Sequence, residues 1–337
     1  MSDEKYASGK LTLDDIAASL GLSKSTVSRA ISGKGRISPE TTARVRRYIV
    51  ESGYKPNAMA KSLAKQKTYN IGVVCPIDYE IFDLKYFHSC LQGISASICS
   101  HGYDIVLPMI GIRDITNLKR LIENRKVDGI ILTRTMFDDM AAAYLKQSGV
   151  PFVVIGSSPD KDLVQIDNDH LTACCELTSV LIAKGFRKIA IVGGDDTHII
   201  TDTRRRGFEL AFERAGLPVD RDLVYMGVSG SSHVRKVLMD VTQKKADCLI
   251  CMDEKLTGIT LNECRALHIR IPEDLRIASY YDSAFLSSMS PPITALDIDD
   301  RKLGEAAGQA ILALIRGEHP TGVLLRNYQL ILRESTM

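Results

Sequence analysis

The stretch LGLSKSTVSRAISG, residues 20–33, sets Lys24, Ser25, Thr26, Ser28 and Arg29 on one short segment anchored only by Leu22, Val27 and Ile31. Val27 and Ile31 are four apart, so on a helix they share a face, while Lys24, Ser25, Ser28 and Arg29 point away from it. The flanking residues carry helix punctuation. Thr12 with Asp15, ahead of Ile16, Ala17 and Leu20, has the form of an N-cap with an acidic third position and predicts a helix over 13–20. Gly21 can take the positive φ of a sharp turn, and Ser23 caps a second helix from Lys24 to about Ile31. Ser38 and Pro39 open a third, which continues through Val45 and Ile49 to Gly53. Two helices joined so closely make a helix-turn-helix, and the apolar stripe of the third closes a miniature core.

Charge divides the chain in the same region. Residues 1–69 hold 13 Lys and Arg against 6 Asp and Glu, a net +7; the remainder holds 30 against 35, a net −5. A positive surface on one small domain is the footprint of a nucleic-acid binder, whereas the acidic remainder avoids DNA. The outward face of the second helix suits a major groove, where Lys and Arg donate to guanine O6 and N7 and hydroxyls bond bases or phosphates. After Gly53, YKPNAMAKSLAKQKT reads as a short basic helix from Pro56 and then a linker. A helix of about eight residues is unstable alone and orders only against a partner or DNA. Leu63 has no core to join there, and its best use is as an apolar wedge between base steps of the minor groove.

From Leu11 to Ala64 the sequence resembles the headpiece and hinge of the lactose-repressor/galactose-repressor family of bacterial transcription regulators, most specifically in TVSR and in the YxPNxxAxxL pattern. The resemblance implies base contacts at Lys24, Ser25 and Arg29. It implies phosphate contacts at Thr12, Thr26, Ser28, Ser38, Thr41, Tyr54 and Asn57, and a minor-groove hinge at Ala60, Lys61 and Leu63. Lys61 stands where relatives commonly carry Arg, keeping the charge and losing the planar fork.

From Tyr69 the rhythm changes. NIGVVC, YDIVLPMI, DGIILT and PFVVIG, then KIAIVGG, ADCLICM and LRIASYY, are short, β-branched, nearly all-apolar runs separated by amphipathic stretches. The second set is predicted to alternate with helices near 169–184, 201–215, 232–243 and 254–267. Such alternation predicts parallel sheets covered on both faces, and two such lobes bind a ligand in the crevice at the carboxyl ends of their strands. VDGIIL, IDND, KGFRKIAIVGG, RRRGF and YYDS followed by PPITALD resemble the same family's effector-binding core, which has the fold of periplasmic sugar-binding proteins.

The expected fold is therefore an all-α headpiece (1–55), a hinge helix and linker (56–68), and a two-lobed α/β core (69–337). Lobe 1 is expected at about 69–166 and 298–322, and lobe 2 at about 168–296 and 324–335, with crossings near 166–169, 296–298 and 322–325. Arg204, across a polar loop from KIAIVGG, and Asp282, ending LRIASYY, are expected at the cleft rim, where together they would grip ligand hydroxyls. By resemblance both match effector contacts, and Phe87 matches an aromatic that closes over the ligand, although it serves equally as a core residue. Met252-Asp253, Leu84-Lys85 and Ile298 depart from the family's usual polar residues at those positions.

No P-loop, GxGxxG, HExxH or GxSxG pattern occurs, and the 7 histidines are scattered. The 8 cysteines lack a disulfide framework, and Cys248 and Cys251 would sit on opposite faces of one strand, so no metal is expected. No apolar run is long enough for a membrane span, no signal peptide opens the chain, and a cytoplasmic protein is expected. No heptad follows LILREST, which points to a homodimer rather than a tetramer. The expectation is a non-enzymatic, cofactor-free repressor of sugar genes, binding palindromic operator DNA and a small carbohydrate effector. The alternatives are an α/β enzyme fused to a DNA-binding domain and a regulator answering a purine.

Overall fold

The computed structural model describes residues 11–33, 35–54, 67–77 and 85–337, in two compact units divided between Lys67 and Thr68. In the first unit, α1 (Leu13–Leu20), α2 (Lys24–Ser32) and α3 (Pro39–Ser52) each begin on a side-chain cap. Thr12 and Asp15 close a capping box, Ser23 accepts from the Thr26 amide, and Ser38 accepts from the Thr41 amide. Gly21, Gly33 and Gly53 follow the three helices at φ of 63°, 67° and 63°, a region that costs glycine nothing. Ile16, Ala17, Val27, Ala30, Val45 and Tyr54 form the core, and the Arg44 guanidinium donates to the Leu20 carbonyl, tying α3 to the end of α1.

The second unit holds two sheets. The strands are β1 (Asn70–Pro76), β2 (Asp104–Val106), β3 (Met109–Ile110), β4 (Gly129–Leu132), β5 (Phe152–Ile155), β6 (Gln165–Asn168) and β12 (Val323–Leu325) in the first. The second contains β7 (Ile189–Val192), β8 (Val224–Tyr225), β9 (Cys248–Cys251), β10 (Arg276–Ser279), β11 (Thr294–Ile298) and β13 (Tyr328–Ile331). The first sheet runs β12-β6-β5-β4-β1-β2, with β3 also on β1, and every pair is parallel. The second runs β13-β11-β10-β9-β7-β8, with β13 alone antiparallel.

Helices cover both faces of each sheet, which is why the central strands are apolar throughout. On the first sheet, α4 (Lys85–Cys99) and α12 (Asp300–Ile315) pack on one side, α5 (Thr116–Glu123) and α6 (Met140–Ser148) on the other. On the second, α7 (His170–Ala183) and α8 (Ile199–Arg214) oppose α9 (Gly230–Gln243), α10 (Glu254–Ala266) and α11 (Ala284–Ser287). Cys248 packs among the first group and Cys251 among the second, on opposite faces of β9, and both are free thiols. Between α4 and α12 three glycines permit close contact. A Cβ at Gly93 would collide with the Arg301 carbonyl, one at Gly304 with the Cys90 carbonyl, and one at Gly308 would lie 2.7 Å from the Ser97 Cβ.

The chain passes between lobes after β6, after β11, and between β12 and β13. The last passage corrects the expected boundaries. Val323–Leu325 is an edge strand of the first sheet, with Val323 opposite Ile166, so Leu324 and Leu325 belong to lobe 1. Likewise Ile298 pairs with Tyr328 and belongs to lobe 2. Val323 and Leu324 are exposed, so their burial pattern gives no strand signal; the open hydrogen-bonding edge of β6 places them. Among the described residues no helix is long and apolar enough to cross a membrane.

Candidate functional site

Two surfaces carry the chemistry. On the headpiece, Lys24, Ser25, Ser28 and Arg29 are exposed along α2, opposite buried Val27 and Ala30. Lys24 Nζ lies 2.7 Å from an Asp14 carboxylate oxygen, an exposed pair that a phosphate or base can displace. Ser25 and Thr26 hydroxyls each lie 2.8 Å from the Ser23 hydroxyl, at the start of α2. Thr12 and Ser38 are exposed caps, with Thr41 half-buried beside Ser38. Their helix starts present amides and partial positive charge, which suits phosphate. Tyr54, only 9% exposed, packs its ring in the headpiece core. Asn57, Ala60, Lys61 and Leu63 lie outside the described residues.

The second surface is a cleft of about 410 Å³ between the lobes of the core unit. Its innermost groups are Asp167 at the end of β6, His170 at the start of α7, Arg204 on α8, Tyr281 after β10 and Asp300 at the start of α12. Asp167 accepts from the Ser157 hydroxyl at 2.7 Å and the Asn168 amide at 2.8 Å. Burial still raises its pKa, opposed by these hydrogen bonds. Burial likewise pushes Asp300 up to about 7, although the Tyr281 hydroxyl donates to its carboxylate and Lys85 and Arg204 pull the other way. Burial, reinforced by the Arg204 cation, holds the His170 pKa well below its ordinary value, so the ring is neutral. Arg204 Nη1 donates to the Met252 carbonyl at 2.6 Å, which fixes the guanidinium. Asp300 Oδ1, His170 Nδ1, Arg204 Nε and Glu254 Oε2 are buried with no hydrogen-bond partner among the described residues. A buried polar atom left unpaired costs about 1–3 kcal/mol, so a ligand that satisfies these atoms gains from entering.

Arg204 and Phe87 line this cleft; Asp282 does not. The expected joint grip of Arg204 and Asp282 is corrected by Arg333, whose guanidinium takes the Asp282 carboxylate through two bonds of 2.8 and 2.6 Å. Arg333 comes from the segment after β13, 51 residues away, which no local pattern reveals. Phe87 is 5% exposed and belongs to the core of lobe 1 as well as to the cleft wall. Sequence reasoning missed Asp167, His170, Tyr281, Asp300 and Glu254 as lining groups. IDND and YYDS were visible, but which of their side chains faces inward depends on the sheet register. Of the departures from family pattern, Met252 supplies the carbonyl that holds Arg204, and Asp253 caps α10 by accepting from the Leu256 amide. Ile298 is buried in the core of lobe 2.

The lobes also touch across the front of the cleft. Met136, after β4, and His198, before α8, form an antiparallel bridge, and the Phe137 amide donates to the Thr197 carbonyl at 3.2 Å. The Ile199 amide donates back to the Thr135 carbonyl at 3.4 Å. Lys85 Nζ reaches Asp297 of β11 at 2.7 Å, a second link from lobe 1 to lobe 2.

Comparison with known proteins agrees with this division. Residues 12–57 match the model of bacterial regulatory proteins of the lacI family, and residues 178–336 match a periplasmic binding protein-like domain. The HTH-type transcriptional regulator MalR of Staphylococcus xylosus is 30% identical over 327 residues, covering 95% of each chain. The solved complex of the transcriptional regulator CelR with cellobiose is 26% identical, with a TM-score of 0.72 over 96% of this chain and 99% of that one. The lac repressor dimer bound to operator and an anti-inducer shares the fold, with a TM-score of 0.81 at 21% identity over 98% of this chain and 100% of that one.

Proposed function

Because the chain belongs to the lacI family of bacterial regulatory proteins, we propose that it acts in the cytoplasm as a homodimeric repressor of carbohydrate genes, controlled by a sugar bound in the cleft of its core. It is a DNA-binding transcription regulator and not an enzyme. What carries the finer reading is the pairing, in one chain, of an outward Lys24, Ser25 and Arg29 face with an interlobe cleft whose buried polar atoms lack partners. Two headpieces read the halves of a palindrome, and the hinge segments that follow them, with Ala60, Lys61 and Leu63, enter the minor groove between them. Around them, Thr12, Thr26, Ser28, Ser38, Thr41 and Asn57 hold phosphates and set the register. A sugar favours one arrangement of the lobes and so alters the spacing at which a dimer presents its headpieces. The solved complex of the regulator CelR with cellobiose supports a carbohydrate, as do carboxylates and a guanidinium facing one cleft.

The test is selection of duplexes from a random library by the full chain, followed by binding titrations with and without sugars. A two-fold symmetric site, whose affinity a sugar changes, is the expected result. Recovery of no preferred sequence rejects the reading.

A further inference from the structure

Among the described residues, Tyr69, Arg125, Lys245 and His268 take a positive φ without being glycine, at 58°, 47°, 54° and 56°. Arg125, Lys245 and His268 each stand two positions past the last residue of a helix, α5, α9 and α10, where a left-handed residue is an ordinary way to stop. Tyr69 stands instead directly before β1, where extended backbone would serve. For a side chain of that size the left-handed region is strained, and such strain persists only where the surroundings over-determine it.

Here they do. Asp128 Oδ1 accepts from the Thr68 amide at 2.7 Å and from the Thr68 hydroxyl at 2.8 Å, and Oδ2 accepts from the Tyr69 amide at 3.0 Å. The Thr68 hydroxyl in turn accepts from the Asn70 amide at 3.2 Å. The Tyr69 carbonyl accepts from the Asp104 amide at 2.8 Å, and its ring lies against that of Tyr103 with centroids 5.4 Å apart. Burial, followed by the Asp128 charge, pushes the Tyr103 hydroxyl up to about 12, so it keeps its proton beside that carboxylate. Every one of these partners belongs to lobe 1.

The two compact units divide between Lys67 and Thr68, so the gripped pair is where the chain that carries the headpiece leaves the core. The start of a strand needs only its ladder, which Asn70 supplies by pairing with Asp104 of β2 and Ile71 by pairing with Gly129 of β4. The carboxylate clamp goes beyond that need. With the Thr68 main chain and the Tyr69 φ both held by lobe 1, the root of the linker cannot swivel, and a movement of that lobe is passed to the linker without slack.

We propose that Asp128 is a positioning residue for DNA recognition: its carboxylate holds Tyr69 left-handed and so sets the direction in which each linker leaves lobe 1, which lets the two headpieces of a dimer engage both halves of one site. This rests on the homodimeric reading above. Linked modules bind together only where the linker geometry permits it, and that joint engagement multiplies affinity without any new contact. Loss of the clamp removes the joint engagement and leaves each headpiece its own grip.

Fluorescence anisotropy with the full chain tests it, using the symmetric duplex recovered by selection and the same duplex with one half scrambled. The parent should prefer the intact duplex about a hundredfold. Asp128→Asn sets an amide group against one of the donors, and Thr68→Val keeps the shape of the side chain while losing its hydroxyl. Each should lower the preference about tenfold, with binding to the half-scrambled duplex held within about twofold. Thr68→Ser should keep the parent's ratio. Gly308→Ala strains the packing of α4 on α12 in the same lobe and separates positioning from stability, since it should leave the ratio unchanged. Should Asp128→Asn fail to fold, Thr68→Val alone decides. An unchanged ratio in the folded variants overturns the proposal, as does an equal loss on both duplexes or a comparable fall in Gly308→Ala. A parent that selects no symmetric duplex, or gains nothing from its second half, rejects the homodimeric reading, and the proposal falls with it.

Discussion

Asp300 has two duties that conflict. It joins the lobes through the Tyr281 hydroxyl and lines the cleft, yet at 2% exposure its charge is poorly solvated. The folded chain keeps its proton up to about pH 7, whereas the unfolded chain releases it near 3.8. Between those values the folded state binds the extra proton, so stability falls as pH rises. At about 1.4 kcal/mol per pH unit, the loss reaches a few kcal/mol by pH 8. Asp300→Asn keeps an acceptor for Tyr281 and removes the titration. Its thermal unfolding should lose this descent across pH 4–7, giving a variant more stable than the parent above neutrality; identical pH profiles would refute the assignment. Asp282 poses the opposite case. Its carboxylate is paired and Arg333 is only 15% exposed, so Asp282→Ala strands a largely buried cation. Breaking such a pair costs roughly 3–5 kcal/mol, and the remaining exposure places this one at the lower end. Urea denaturation should show that loss, with a smaller one for Asp282→Asn.

At the scale of elements, what could be read from sequence was what is encoded locally. Thr12, Ser23 and Ser38 cap the helices they precede because the capping bond spans three residues, and Gly21 and Gly53 end helices by their own φ. The apolar runs of β1, β4, β5, β7, β9 and β10 were legible for the same reason: burial on both faces leaves no alternation to misread. Long-range features were not. The edge strand β12 depends on a free edge of β6, the Asp282 pair on a residue 51 positions later, and the inner cleft on Asp167 and Asp300, brought together from β6 and α12. The glycine seam between α4 and α12 also escaped notice, since Gly93 and Gly304 are far apart in sequence. It predicts that Gly304→Ala, facing the unyielding Cys90 carbonyl, costs at least the 1–3 kcal/mol typical of overpacking. Gly308→Ala, which faces the Ser97 side chain, should cost less. Denaturant midpoints of the two variants provide the comparison, and a reversed order would show that the helices shift apart freely.

Across the whole molecule, charge and structure divide at nearly the same point. The net +7 of residues 1–69 accompanies the headpiece, and the net −5 accompanies the core. Non-specific DNA binding by the full chain should therefore decline steeply with salt as counterions are released. A fragment beginning at Thr68 should show no such binding in fluorescence anisotropy, and comparable affinity in that fragment would move the nucleic-acid surface into the core. Arg29→Ala in the full chain should retain the salt-dependent component while losing about 1–3 kcal/mol of preference for the selected site over a scrambled duplex.

The bridge of Met136 to His198, with its backbone bonds from Phe137 and Ile199, has a kinetic implication. Because these bonds join lobe 1 to lobe 2 directly, any motion of one lobe against the other has to break them first. The rate of such motion should then be set by the main chain at this one place and differ little from one bound molecule to another, so that the tempo of the protein's response is its own.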